Sequence, residues 1–187
     1  MHAAVGDFIL DCLQNSVEAD ASLIELTIEQ VGNRLSVFLK DNGCGMDSHE
    51  LEKAVDPFYT DGKKHEHRKV GLGLPFLIQA MDLAGGDFDL QSEKGRGTEL
   101  KFGFDRTNFD APPLGRLDNV FLSALMFSGD YELIIQRRIS GSQGEDEYTL
   151  SRNELKEILG GLEDSSSLLL AREFLLSQEE ELINLLN

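Results

Sequence analysis

Basic side chains are scarce in this chain of 187 residues: 17 Lys and Arg stand against 34 Asp and Glu, a formal net charge of −17. Neutralising nucleic-acid phosphates takes clustered Lys and Arg, so this balance argues against a general nucleic-acid binder. It also disfavours docking on an anionic membrane surface, and it favours solubility. Cysteine is nearly absent as well. Cys12 and Cys44 are the only two, which fits a reducing compartment better than a disulfide scaffold. Neither has the paired spacing of a zinc site. No apolar run is long enough to span a bilayer, and the N-terminus lacks the basic-then-apolar pattern of a secretory signal. Together these absences predict a soluble, cytoplasmic protein. What is present, 41% hydrophobic residues, suffices to bury one substantial core and a smaller second one.

Periodicity predicts the elements. Val5, Phe8, Ile9, Cys12, Leu13 and Val17 share one face of a helix over residues 5–19, with Asp7, Asp11, Asn15 and Glu18 opposite. Leu23 to Glu29 and Leu35 to Lys40 alternate like two strands joined by a hairpin turn at residues 31–34. A short helix from Ser48 to about Val55 takes Asp47 or Ser48 as its cap. Another starts near Pro75 and stops at Gly85-Gly86. Two more strands follow, around Phe88 to Leu90 and Leu100 to Phe104, with a turn at residues 94–97. This order predicts an α+β fold: a two-layer α/β sandwich with a mixed sheet and helices on one face.

The composition shifts at Asp110-Ala-Pro-Pro-Leu-Gly115, so the expected division is a first domain over 1–109, a linker over 110–116 and a small α/β C-terminal extension over 117–187. In the extension, Tyr131 to Ile139 reads as a strand and residues 140–147 as a polar loop. Tyr148 to Leu150 reads as a short partner strand. Ser151-Arg-Asn-Glu154 opens a helix, and residues 165–186 read as a Leu- and Glu-rich amphipathic helix. Residues 105–187 hold 16 acidic and 7 basic side chains. The extension can cover the sheet, dimerise the protein or hold a protein partner.

Several stretches carry chemistry. Asp11 and Asn15 are four residues apart on a polar helix face, so they are neighbours. A carboxylate beside an amide oxygen suits a hard cation such as Mg²⁺ and an activated water; it is also what an ordinary solvated face looks like. Asp41-Asn-Gly-Cys-Gly45 ends a strand. Its aspartate can accept a hydrogen bond from an exocyclic amine, and its glycines admit a flat ring; a plain Asx turn reads the same. Asp56 to Gly62 reads as a hinge in which Phe58 anchors a mobile loop, or as a surface turn. "KKHEHRK", residues 63–69, is the one dense basic run, suited to phosphate or, through His65 and His67, to a metal; a solvated loop is the plainer reading. In "RKVGLGLPF", residues 68–76, the spacing fits neither a P-loop nor a Rossmann turn. Gly71 to Leu74 would instead present free N–H groups and a positive dipole end to phosphates, with Pro75 suited to the first turn.

In this order the stretches resemble the GHKL superfamily of ATPases (gyrase, Hsp90, histidine kinase, MutL), which share the Bergerat ATP-binding fold. "ILDCLQNSVEADA" resembles the N box, "DNGCGM" the G1 box and "DPFYTDG" the F box. "VGLGLPFLIQAMDLAGGDFDLQSEKGRGTELKF" is similar to the G2 box and final strands of a histidine kinase catalytic domain. The resemblance covers roughly residues 5–104. It implies ATP and Mg²⁺ as ligands, with Asn15 coordinating the Mg²⁺ on the triphosphate. Asp41 would bind the adenine amino group, aided by a water near Thr98. Gly43 and Gly45 would let the ring approach, and Met46 would pack beside it. Phe58 would begin the lid, and Gly71, Leu72 and Gly73, with Leu74, would cradle phosphates.

The sequence departs from the family pattern in three places. Asp11 stands where hydrolysing members have a glutamate and histidine kinases an asparagine, which leans toward ATP hydrolysis or activation of a hydroxyl. Lys69 replaces a glycine of the G2 box and adds a charge facing the phosphates. A hairpin with a phospho-acceptor histidine is not expected within this chain: His2 is too near the terminus, and His49, His65 and His67 fall in or near the nucleotide core. The expectation is an ATP–Mg²⁺-binding protein in which slow hydrolysis switches a lid and a partner contact. An anti-sigma-type serine kinase and a non-catalytic nucleotide-binding module are the alternatives.

Overall fold

The computed structural model of the protein describes residues 4–56 and 73–186. Twelve longer elements run in the order α1 (Val5–Glu18), β1 (Leu23–Val31), β2 (Arg34–Asp41), α2 (Ser48–Val55), α3 (Gly73–Leu83), β3 (Asp87–Glu93), β4 (Gly97–Asp105), α4 (Leu117–Leu125), β5 (Glu132–Gly141), β6 (Gly144–Ser151), α5 (Arg152–Leu159) and α6 (Ser165–Ile183). The strands form one mixed sheet in the order β3-β4-β2-β1-β5-β6, in which β1 and β5 run parallel and every other pair is antiparallel.

Alternation decides which face is covered. Ile24, Leu26 and Ile28 of β1, Leu35, Val37 and Leu39 of β2, Leu100, Phe102 and Phe104 of β4, and Leu133 and Ile135 of β5 all point into one core. The helical layer meets them with Phe8, Ile9 and Leu13 of α1, Leu77 and Met81 of α3, Phe121 and Ala124 of α4, and Ala171 and Leu175 of α6. The other face is polar: Lys40 pairs with Glu99 at 2.6 Å, Arg34 with Asp87, and Lys101 sits 5.2 Å from the centre of the Phe38 ring. Exposed pairs of this kind contribute little, so the fold rests on the covered face. Among the described residues no helix is long and apolar enough to cross a membrane.

The expected α+β sandwich is what forms, and the helix and strand positions up to residue 105 agree with it within a few residues. Beyond that the chain differs in two places. Residues 117–125, passed over in the sequence, form α4, with Leu117, Val120, Phe121, Ala124 and Leu125 buried. Residues 144–147, expected as loop, belong to β6, which pairs with β5 along Glu145↔Ser140 and Glu147↔Arg138. Glu145, Asp146 and Glu147 are exposed because β6 is an edge strand, where charge blocks pairing with another chain. The strand is polar because of where it lies, and that hides it from a hydrophobic pattern.

The residues after Asp110 are tied to both layers. Val5 N–H donates to Pro113 O at 2.8 Å and Gly6 N–H to Leu114 O at 3.1 Å, which satisfies two of the orphan donors that open α1. At the other end of this region, the buried Arg152 closes α4. Its Nε donates to Leu125 O at 3.0 Å, its Nη1 to Tyr131 O at 2.8 Å and its Nη2 to Phe127 O at 3.3 Å. The guanidinium also lies 3.9 Å from the centre of the Tyr131 ring, whose hydroxyl donates to Ala124 O. A cation at the negative end of a helix is favourable, and three carbonyls share it. Arg152→Ala is expected to cost about 3 kcal/mol of stability by leaving those carbonyls buried and unmet. Arg152→Lys, with a point charge instead of a planar fork, recovers only part of it. Urea unfolding of the two variants checks both.

Candidate functional site

Helix α1 has two working sides. On its exposed side Asn15 and Asp11 stand one turn apart, with Asn15 Nδ2 donating to Asp11 Oδ2 at 3.5 Å. The Asp11 carboxylate lies against the first residue of α3. A Cβ on Gly73 would overlap Asp11 Oδ2 and come within 2.7 Å of its Cγ, so residue 73 has to be glycine for the carboxylate to sit there. No acidic residue occupies the first turn of α3; Asp11 supplies the negative charge that a helix N-terminus favours. Gly73 and Leu74 thus start α3 beside Asp11, while Pro75 and Leu77 turn inward and are buried.

On the buried side of α1, Ser16 reaches the end of β2. Asp41, the last residue of that strand, is 6% exposed. Its Oδ2 accepts from Ser16 Oγ at 2.8 Å and its Oδ1 from Gly43 N–H at 2.9 Å. Thr98 faces Asp41 across the β2–β4 register and shares a 2.9 Å hydrogen bond with Ser92. Ser92 Oγ also accepts from Met46 N–H at 2.9 Å, so one hydroxyl joins the residue expected beside the base to the residue expected beside the carboxylate. Gly45 has φ +59°, and a Cβ there would run into Glu93 O. Glycine at 45 therefore serves both the left-handed turn and the close approach of the β3–β4 hairpin.

Around this core the loop is braced. Asn42 Oδ1 accepts from Ser22 N–H and Leu23 N–H, both at 2.9 Å, so the middle letter of Asp-Asn-Gly is structural. Lys94 donates to both carboxylate oxygens of Glu50, at 2.9 and 2.7 Å, and Gly95 N–H donates to Cys44 O at 2.7 Å. The Lys94 hydrogen bond holds the Glu50 carboxyl below its usual range. Burial pushes the Cys12 thiol up to about 12, so it stays protonated and packs as an apolar group.

Nine of the expected site residues therefore gather around Asp41 and the start of α3: Asp11, Asn15, Asp41, Gly43, Gly45, Met46 and Thr98, and Gly73 and Leu74 at the helix itself. Phe58, Lys69, Gly71 and Leu72, like His65 and His67, lie outside the described residues. Among the described residues no cluster of three or more His, Cys, Asp or Glu could hold a metal alone. Sequence reasoning missed Ser16 and Ser92. Ser16 had a signal: it is a polar residue four after Cys12, inside the apolar stripe. Ser92 had none, because alternation in β3 places it with the half-buried Phe88 and Leu90 without naming a partner.

A carboxylate at a glycine-lined strand end, joined through one helix to an amide, a second carboxylate and a helix N-terminus, is the arrangement to which the GHKL resemblance points. The chain belongs to the histidine kinase-, DNA gyrase B- and HSP90-like ATPase family, whose model matches residues 4–108. It is 30% identical over 123 residues to the CAI-1 autoinducer sensor kinase/phosphatase CqsS of Vibrio cholerae, covering 66% of this chain and 17% of that protein. It is 26% identical over 103 residues to the sensor histidine kinase YxdK of Bacillus subtilis, covering 54% of this chain and 31% of that one. The chain thus matches less than a third of either relative's length. Among solved structures, the N-terminal domain of a DNA repair protein superposes with a TM-score of 0.54 at 13% identity, covering 88% of this chain and 58% of that one, a likeness of fold.

The turn makes one demand that stability can measure. Gly45→Ala is expected to lower folding stability by about 2 kcal/mol or more, from the positive φ together with the overlap with Glu93 O. Gly95→Ala, at φ +81° but in open space, is expected to cost only about 1 kcal/mol. Thermal unfolding of the pair separates close approach from backbone strain.

Proposed function

We propose that this chain binds ATP with Mg²⁺, and that binding followed by slow hydrolysis changes how residues 117–187 meet a protein partner. The observation that supports the reading is that α1 serves both ends of the site: Ser16 touches the Asp41 carboxylate while Asn15, the next residue, faces outward beside Asp11. On this reading Asp41 accepts the adenine amino group, Gly43 and Gly45 admit the ring, Met46 packs beside it and Thr98 holds a water. Asn15 would hold Mg²⁺, which supplies charge neutralisation on the triphosphate. Gly71, Leu72, Gly73 and Leu74 would meet the phosphates together with Lys69, and Phe58 would begin the lid. Residues 1–109 are then the nucleotide unit, and residues 117–187 the part through which a partner or a second copy reads it. We assign the protein to the cytoplasm, where ATP and Mg²⁺ are abundant.

Hydrolysis uses Asp11 as general base. It takes a proton from a water whose oxygen bonds to the γ-phosphorus, while the bond from that phosphorus to the ADP oxygen breaks. Asp11 is exposed, so a partner's serine hydroxyl can stand where the water stands. That exposure supports the second reading, an anti-sigma-type serine kinase.

A thermal melt in ATP–Mg²⁺ tests the binding. At a hundredfold excess over Kd the expected gain is about 2.7 kcal/mol of apparent stability, and Asp41→Ala removes it. No shift in the wild-type melt overturns the reading. Asp11→Asn is expected to keep that melting shift and to lose about 100-fold or more in phosphate release or in label transfer from γ-labelled ATP to a partner. Transfer to protein selects the kinase, release to water the ATPase, and neither with binding intact the non-catalytic module.

A further inference from the structure

The neighbour of Asn15 has a task of its own. Ser16 is 3% exposed on the buried side of α1, where a helical serine ordinarily bonds back to the carbonyl one turn earlier. That carbonyl, Cys12 O, is 3.2 Å from Ser16 Oγ, and Asp41 Oδ2 is 2.8 Å away. A hydroxyl has one proton to donate. The carboxylate is both the closer acceptor and the stronger one, so the proton goes to Asp41. The other carboxylate oxygen takes Gly43 N–H at 2.9 Å. Donors from two separate segments therefore fix the plane of the carboxylate, and among the described residues each oxygen accepts one hydrogen bond, short of its capacity of two.

We propose that Ser16 is a positioning residue that sets base specificity, locking Asp41 in the orientation that accepts an exocyclic amine and so selecting adenine over 6-oxopurines. The inference rests on the ATP reading above. A 6-oxopurine offers a carbonyl oxygen where adenine offers an amine, and two acceptors face each other unfavourably. It also offers a ring N–H one atom away, which a carboxylate free to turn can accept. Held at both oxygens, Asp41 cannot turn to take it. Without the serine hydroxyl, only Gly43 N–H restrains the carboxylate, and the discrimination relaxes. Thr98 on β4 faces the same carboxylate across the register, but its hydroxyl is engaged by Ser92, which leaves Ser16 as the side chain that sets the angle.

The test compares ATP–Mg²⁺ and ITP–Mg²⁺, which differ in their purine only at the 6-position and its adjoining ring nitrogen, by calorimetric titration of the whole chain. Wild type is expected to prefer ATP. Ser16→Ala is expected to lose about tenfold in ATP affinity and little in ITP affinity, so the ATP/ITP ratio falls about tenfold. Ser16→Thr, which keeps the hydroxyl, is expected to restore the ratio. An unchanged ratio in Ser16→Ala overturns the inference, and so does an equal loss for both nucleotides, which marks a merely structural serine. Absence of ATP binding by wild type overturns the ATP reading itself, and this inference with it. A wild type that binds ATP beside an unselective or unaffected Ser16→Ala separates the two.

Discussion

A carboxylate taken out of water must be met by donors, and Asp41 is met by a helix hydroxyl and a backbone amide. Much of the first hundred residues follows from that need. The buried side of α1 has to reach the end of β2, so the helix lies along the sheet with Ser16 over that strand end. The turn after Asp41 has to fold back so that Gly43 N–H points at the carboxylate, and Cys44 N–H then bonds Ala19 O at 2.8 Å, closing the turn against the end of α1. Gly45 follows in the left-handed region because the β3–β4 hairpin comes too close for a side chain. The apolar core makes the sandwich stable, but this polar contact sets where the layers meet at the site.

The second organising choice is the parallel pairing of β1 with β5, which brings the C-terminal half into the sheet beside its middle strand. Leu26 lies opposite Ile135, and α4 lies on α1 close enough that a Cβ on Gly6 would come within 2.7 Å of Val120. Helix α1 is therefore held from both sides: its buried serine is fixed by the end of β2, and its first turn by the residues that lead into α4. Under the proposed reading this is how a change at Asn15 or Asp11 reaches residues 117–187, through a rigid helix and a close helix–helix contact instead of through a flexible linker.

Legibility in the sequence followed periodicity. Helices and strands whose buried face is apolar, such as α1 with Phe8, Ile9 and Leu13 or β4 with Leu100, Phe102 and Phe104, were readable to within a few residues. The motifs and their order picked out residues that the fold brings close together among the described residues, such as Asp11 beside Gly73 and Met46 beside the Ser92 that meets Thr98. What was hidden had physical reasons. Edge strand β6 is acidic because solvent is its neighbour. Ser16, polar inside an apolar stripe, did signal a buried partner, but that partner is a carboxylate 25 positions away and no local pattern says which residue it is. Helix α4 did carry an apolar spacing, at Leu117, Val120, Phe121, Ala124 and Leu125, but so soon after two prolines that the loop signal covered it.

The C-terminal half was the least readable because polar side chains hold much of it in place. Arg137 of β5 is fully buried, with Nη1 donating to Ile28 O at 3.3 Å and Nε lying 3.5 Å from Glu179 of α6. Glu179 accepts in turn from the Tyr148 hydroxyl at 2.7 Å. Burial, reinforced by the Glu179 charge, pushes the Tyr148 hydroxyl far up, so it remains a donor at any physiological pH. Such a network adds little net stability, because desolvating its charges offsets their attraction. It does make α6 dock in one register, since sliding the helix by a turn would leave a guanidinium buried against no carboxylate. An apolar seam of Leu residues would tolerate that slide. The Leu-rich outer face of α6, with Leu169, Leu170 and Phe174 exposed, shows how little the apolar pattern alone could have fixed its orientation. The buried ion pair, on the same face as the buried Ala171, Leu175 and Leu182, decides which face of α6 looks outward.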